Sequence, residues 1–106
     1  MRRWPVRLFR VEDDSMRPTL TPGDGLVAVR GRTPRRGELR VFRHPHRSTL
    51  WLVKRVGDVL PSSSGAVFEA LSDDPVAAGA GDSRTFGPVP AAGSYRVLWT
   101  VRAPAH

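Results

Sequence analysis

The sequence predicts an all-β fold, a small coiled sheet or partly open barrel, on three observations. Six stretches of 5–8 residues are rich in Val, Leu, Phe and Trp and alternate apolar with polar, the period of a half-buried strand. Clusters of Gly, Pro, Ser and Asp separate them, each carrying turn chemistry. Ten Gly and ten Pro in 106 residues, with 40% hydrophobic content, describe a turn-rich globular chain and not a helical bundle. A chain of this length supports one modest core, so residues 1–106 are expected to form a single domain. Strands this numerous leave edges to protect, which is why coiling or partial closure is expected.

The elements follow in order. VRLFRVE (6–12) is the first predicted strand. The loop DDSMRPTLTPGD comes next, constrained by Pro18 and by Pro22-Gly23, with Met16–Leu20 as one place for a brief helical turn. LVAVR (26–30) and ELRVFR (38–43) are the second and third strands, joined through RTPRRG. RHPHRS turns the chain into LWLVKRV (50–56), and PSSSG (61–65) reads as the tip of a hairpin leading to AVFEAL (66–71). The Gly-rich AAGAGD and a second possible helical turn at Pro90–Ser94 precede the last strand, YRVLWTVR (95–102). There is no internal repeat and no linker.

Composition narrows the function. The absence of cysteine excludes disulfides and thiolate metal sites and permits a cytosolic setting. The formal charge of +7 raises nucleic acid as a partner, but the arginines are scattered singly apart from the pairs Arg2-Arg3 and Arg35-Arg36. Without a basic recognition element, specific nucleic-acid binding is not expected. No stretch approaches the ~20 apolar residues that span a bilayer, and the start MRRWPVRLFRVEDD lacks the apolar core of a signal peptide. The expectation is a soluble, cytoplasmic protein without a transmembrane anchor. His44 and His46 lack a third nearby ligand, and Asp73-Asp74-Pro75 reads as a turn, so neither metal nor other cofactor is expected.

Lys54 is the single lysine beside sixteen arginines. Arginine stays protonated in proteins, whereas a desolvated lysine can become neutral. Strand alternation puts Leu50, Leu52, Lys54 and Val56 on one face, so Lys54 is flanked by the apolar Leu52 and Val56. Lowering a lysine from about 10.4 to roughly 7–8 costs about 4 kcal/mol, a strain that a small domain keeps for a use. A neutral amine beside a serine hydroxyl is the Ser-Lys version of the catalytic triad. The plain alternative is a lysine whose stem covers apolar surface while its head reaches water.

The boxes DSMRPTLTPGD, RRGELRVFRHP, LVKRV and DSRTFGPVP occur in an order that resembles the type I signal peptidases and the wider clan of self-cleaving SOS-response repressors. The likeness runs from about Val11 to Val101. It implies the all-β catalytic-domain fold of that clan and peptide-bond hydrolysis through an acyl-enzyme. Residue by residue, it implies Ser15 as nucleophile, Lys54 as general base, Met16 as the residue following the nucleophile, and Asp82, Ser83 and Arg84 as a box that braces the site. The constrained loop can aim the Ser15 hydroxyl and amide at an incoming carbonyl.

Three positions depart from the pattern. Asp13 stands where signal peptidases often carry a hydroxyl residue of the oxyanion hole, and an ionised carboxylate cannot donate. Either it points away, or the hole rests on backbone amides. Asp14 replaces a Gly, and Ala80 replaces a serine that orients the lysine. A minimal member of this kind is similar to the nickel-type superoxide dismutase maturation proteases, through FRHP, DDP (73–75) and DSRTFGPVP. The expected partner is then a protein or peptide precursor with a short leader. A catalytically weak relative acting as a peptide-binding module is the competing reading.

Overall fold

A computed structural model describes residues 5–31, 33–63, 65–77 and 81–104. Ala80 and the Arg2-Arg3 pair lie outside the described residues. The chain is nearly all β. Its strands are β1 (Val6–Arg10), β2 (Gly25–Arg30), β3 (Leu39–His44), β4 (Arg47–Ser62), β5 (Gly65–Leu71), β6 (Val89–Pro90) and β7 (Tyr95–Val101), and one short helix, α1 (Ser83–Phe86), lies between β5 and β6. They form one sheet in the order β1-β2-β7-β3-β4-β5-β6, antiparallel at every pairing. The sheet is open, with β1 and β6 at its edges, and does not close into a barrel.

All six predicted strands form, with shifted ends. β1 stops at Arg10 because the chain then turns inward: the Val11 amide donates to Asp24 O (2.8 Å), and Val11 O accepts from Gly23 N (2.8 Å). β4 is far longer than its seven predicted residues, since it bulges between Val56 and Val59 and runs on to pair with β5. Gly57 permits that bulge, because a Cβ there would lie 2.9 Å from Glu69 Oε1 and Leu71 Cδ1. Ser62 pairs with Gly65, so PSSSG is the hairpin tip.

The helical expectations fall differently. Residues 15–19 form a turn and not a helix, with a single Leu20 N to Met16 O bond of 2.8 Å. At the other site, Val89–Pro90 pairs with Val67 and Phe68 as β6, and a turn follows. The helix forms instead in the DSR box, where Asp82 caps the Arg84 amide and Gly87 ends the turn at φ +82°.

Alternation in β3 divides the core. Val41 packs with Val11, Met16, Leu20, Leu26 and Tyr95, whereas its neighbour Phe42 packs with Leu52, Val56, Phe68 and Val89 on the opposite side. Phe42 and Phe68 meet edge to face at 5.8 Å. The first cluster anchors the loop that carries Ser15, and the second underlies the strand that carries Lys54.

Candidate active site

Two apolar anchors hold the Ser15 loop. Met16 and Leu20 are 0% and 1% exposed, so the chain between them is pinned at both ends. The far end is tied by Asp24, a buried carboxylate that accepts from Thr21 N (3.0 Å), Ala103 N (2.8 Å) and Arg102 Nη1 (3.1 Å). Burial pushes the Asp24 carboxyl up, but these donors outweigh it and leave it below the ordinary value. On the other side, the DDP segment clamps the Ser15 loop: Asp74 N donates to Ser15 O (2.8 Å) and Asp73 N to Met16 Sδ (3.4 Å). Asp73 also takes both arms of Arg55 at 2.8 Å and the Thr19 hydroxyl at 2.7 Å. The predicted turn is present there, and it works as a strap.

Lys54 reaches this loop from β4. It is 1% exposed, Ser15 is 4% exposed, and Lys54 Nζ lies 2.6 Å from Ser15 Oγ. Leu52 and Val56, its predicted flanks, are both buried. Burial lowers the Lys54 ammonium below its ordinary value, and the charges of Asp13 and Asp82 offset part of that effect. None of the ion pairs among the described residues involves Lys54. The contrast with Arg40, opposite it in register on β3, is instructive. Arg40 is equally buried but bonds Glu38 Oε1 (2.7 Å), Ser94 Oγ (2.7 Å) and the Gly31 carbonyl. The fold thus gives its buried arginine a carboxylate and leaves its buried lysine among hydroxyls.

The second hydroxyl on Lys54 belongs to Ser72, 3.1 Å from Nζ. Sequence reasoning missed this residue. Its signal was the period of β5: Phe68 and Ala70 are buried, and Ser72 continues their face. Register gives the same answer, because Arg55 pairs with Leu71 and the next pair inward is Lys54 with Ser72.

The DSR box supports this arrangement from behind. Asp82 accepts from Ser72 N (2.7 Å), Arg84 N (2.9 Å) and Arg84 Nη1 (2.6 Å). Burial raises the Asp82 carboxyl, and those donors outweigh burial to hold it ionised below the usual value. Ser83 Oγ accepts from Ala70 N (2.8 Å), fixing α1 to the end of β5. Ser15, Met16, Lys54, Asp82, Ser83 and Arg84 are therefore drawn into one contiguous region. Ser72 connects its two halves.

Asp13 does not point away. Its Oδ1 accepts from Ser15 N at 3.0 Å and from Ser15 Oγ at 2.7 Å. The amide expected to face a substrate carbonyl thus donates to a carboxylate of its own chain. Asp14 instead faces Arg17 at the surface, in an ion pair.

A narrow cavity of about 40 Å³ reaches the Ser15 loop at Asp13 and is lined also by Phe9, Val11, Trp51, Leu52 and Val53. His44 and His46 stand apart from this site, the His46 amide donating to His44 Nδ1 (3.0 Å). Among the described residues no three His, Cys, Asp or Glu side chains come together to hold a metal. No helix of the described residues is long and apolar enough to cross a membrane.

Comparison with known proteins agrees with this geometry. A family model described as "Signal peptidase, peptidase S26" matches residues 1–60, which include both Ser15 and Lys54. Signal peptidase I of Buchnera aphidicola subsp. Baizongia pistaciae (strain Bp) is 34% identical over 64 residues, covering 45% of this chain and 21% of the relative. The chain thus spans about a fifth of that relative's length. No solved structure matches.

Proposed function

The chain belongs to the signal peptidase family, peptidase S26, and from that premise we propose that it is a serine endopeptidase in which Ser15 is the nucleophile and Lys54 the general base. The observation that carries this reading is the buried 2.6 Å contact between Lys54 Nζ and Ser15 Oγ. With Lys54 neutral, the same contact runs from the serine hydroxyl to the amine. Lys54 takes the proton as Ser15 Oγ bonds to the substrate carbonyl carbon. The protonated Lys54 then gives that proton to the leaving amine, the C–N bond breaks, and an acyl-enzyme remains on Ser15. A water attacks the ester and Lys54 accepts its proton; as the C–O bond to Ser15 breaks, Lys54 returns that proton to Ser15 Oγ and the acid product leaves. Ser72 holds Lys54 on line, and Asp82, braced by Arg84 and Ser83, holds Ser72.

The substrate is a precursor whose leader is cut after a small residue, since an extended chain paired to the strands beside Ser15 meets only shallow side-chain pockets. The motif likeness supports a leader of the type removed from nickel-type superoxide dismutase precursors, cut in the cytoplasm. Asp13 on the Ser15 amide favours a second reading, a weakly active relative that mainly binds peptides.

Incubation of the purified protein with candidate precursors, with and without liposomes, distinguishes these readings by mass spectrometry of the products. The expected result is one cut after a small residue, independent of liposomes and lost in Ser15→Ala. Processing that persists in Ser15→Ala, or that strictly requires liposomes, would contradict the proposal. Tight peptide binding without any cut would support the second reading.

A further inference from the structure

The side chains of Arg7, Phe9, Val11 and Asp13 alternate along the edge of the sheet toward Ser15, and across from them stand Trp51 and Val53 of β4. At the end of this row remote from Ser15 the lining changes from apolar to cationic. Arg7 lies 4.8 Å over the Trp51 ring and Arg43 lies 4.3 Å over the same ring, while Arg30 lies 5.9 Å over Tyr95. These three arginines, from three strands, border a cavity of about 320 Å³ that shares Trp51 with the narrow cavity reaching the Ser15 loop. Among the described residues no carboxylate lines it.

Seven of the thirteen arginines among the described residues meet an acid: Arg17, Arg36, Arg40, Arg55, Arg84, Arg96 and Arg102. Arg10, Arg35 and Arg47 stand outside those pairs, as do Arg7, Arg30 and Arg43; what marks these last three is that they converge on one cavity and stack on its rings. Stacking on the indole and phenol rings holds their planar heads in place without consuming their hydrogen-bond donors on an acid. Such a fork of fixed guanidinium groups matches a carboxylate better than any other group a peptide offers.

We propose that Arg7, Arg30 and Arg43 form a distal subsite for an acidic side chain of the substrate. This rests on the peptidase reading and adds to it a position. Asp13 and Arg7 are six positions apart, at most about 20 Å at roughly 3.3 Å per residue and less because the chain turns inward after Arg10. An extended substrate lying along the β1 edge, which has no strand on its outer side, brings a residue up to about six positions from the scissile bond to the arginines. The apolar row between selects small residues near the cut, and the arginines select the acid farther out.

The test uses two fluorescein-labelled peptides that differ only in a Glu-Glu or Gln-Gln pair placed about six residues from a small residue at the cut. Binding is read by anisotropy on the Ser15→Ala protein, and cleavage on wild type. The Glu peptide is expected to bind about tenfold more tightly, the preference falling to within about twofold in Arg7→Gln/Arg43→Gln and in about 0.5 M salt, where screening is strong. Cleavage of both peptides with equal KM and equal binding would overturn the subsite and leave the peptidase reading standing. Selective binding with no cleavage of either would overturn the peptidase reading and leave an acidic-peptide site. A mixed-sequence oligonucleotide that binds more tightly than the Glu peptide and displaces it would reassign the arginines to nucleic acid and overturn the proposal.

Discussion

Lys54→Arg is expected to lower kcat/KM by about 10³-fold or more, although it keeps the charge and nearly the bulk, because losing one member of a nucleophile–base pair removes most of what the pair does. The guanidinium cannot give up its proton, so it cannot receive that of Ser15. Lys54→Met is expected to be equally inactive while melting within a few degrees of wild type, since Leu52 and Val56 already make the surroundings apolar. The wild-type rate should rise with pH. Its active form is the neutral amine, and burial sets the Lys54 pKa below the ordinary 10.5, so activity climbs as pH rises through that lowered value and then levels off. Activity of Lys54→Arg within threefold of wild type would remove Lys54 from the mechanism.

Asp13→Ser is expected to raise kcat by about 10²-fold, the size of effect attributed to a single oxyanion-hole donor. In the present structure the Asp13 carboxylate holds the Ser15 amide at 3.0 Å, so substrate must displace a bound anion before its own oxygen can use that donor. The carboxylate also accepts the Ser15 hydroxyl proton at 2.7 Å, the proton that Lys54 has to receive. A serine at this position releases both and supplies a hydroxyl donor of its own. It also removes a negative charge that raises the Lys54 pKa, so the rising limb of the pH profile should move to lower pH. Asp13→Ala should show the same pH displacement with a smaller gain in rate. A fall in kcat for both variants, measured alongside their pH profiles, would mean that Asp13 positions Ser15 productively.

Much of this site was legible in the sequence because strands have a simple period. The face shared by Leu52, Lys54 and Val56 follows from alternation alone, and both flanks are buried. Ser15 taken alone reads as a turn serine, and only the resemblance carried by DSMRPTLTPGD together with LVKRV singles it out. What alternation could not supply was contact between strands distant in sequence. Ser72 reaches Lys54 only through the β4–β5 register, which the bulge at Gly57 shifts. The one-turn helix at Ser83–Phe86 is too short for a helical pattern to register, and its sole signal was Asp82 as an N-cap. The long β4 was hidden for a related reason: Gly57 and Pro61 read as strand ends, but the bulge at one and the hairpin tip near the other accommodate them. The orientation of Asp13 depends on a local hydrogen-bond choice between two residues, and no periodicity encodes it.

Acyl-enzyme trapping tests the central claim, Ser15 activated by Lys54, most directly. The protein is incubated with an activated peptide ester ending in a small residue, quenched in acid, and analysed by intact-mass and peptide-level mass spectrometry across a pH series. The expected result is a single acyl adduct on the peptide that contains Ser15, more abundant as pH rises and absent from Lys54→Arg. An adduct on another residue, or equal labelling of Ser15 in Lys54→Arg, would contradict it.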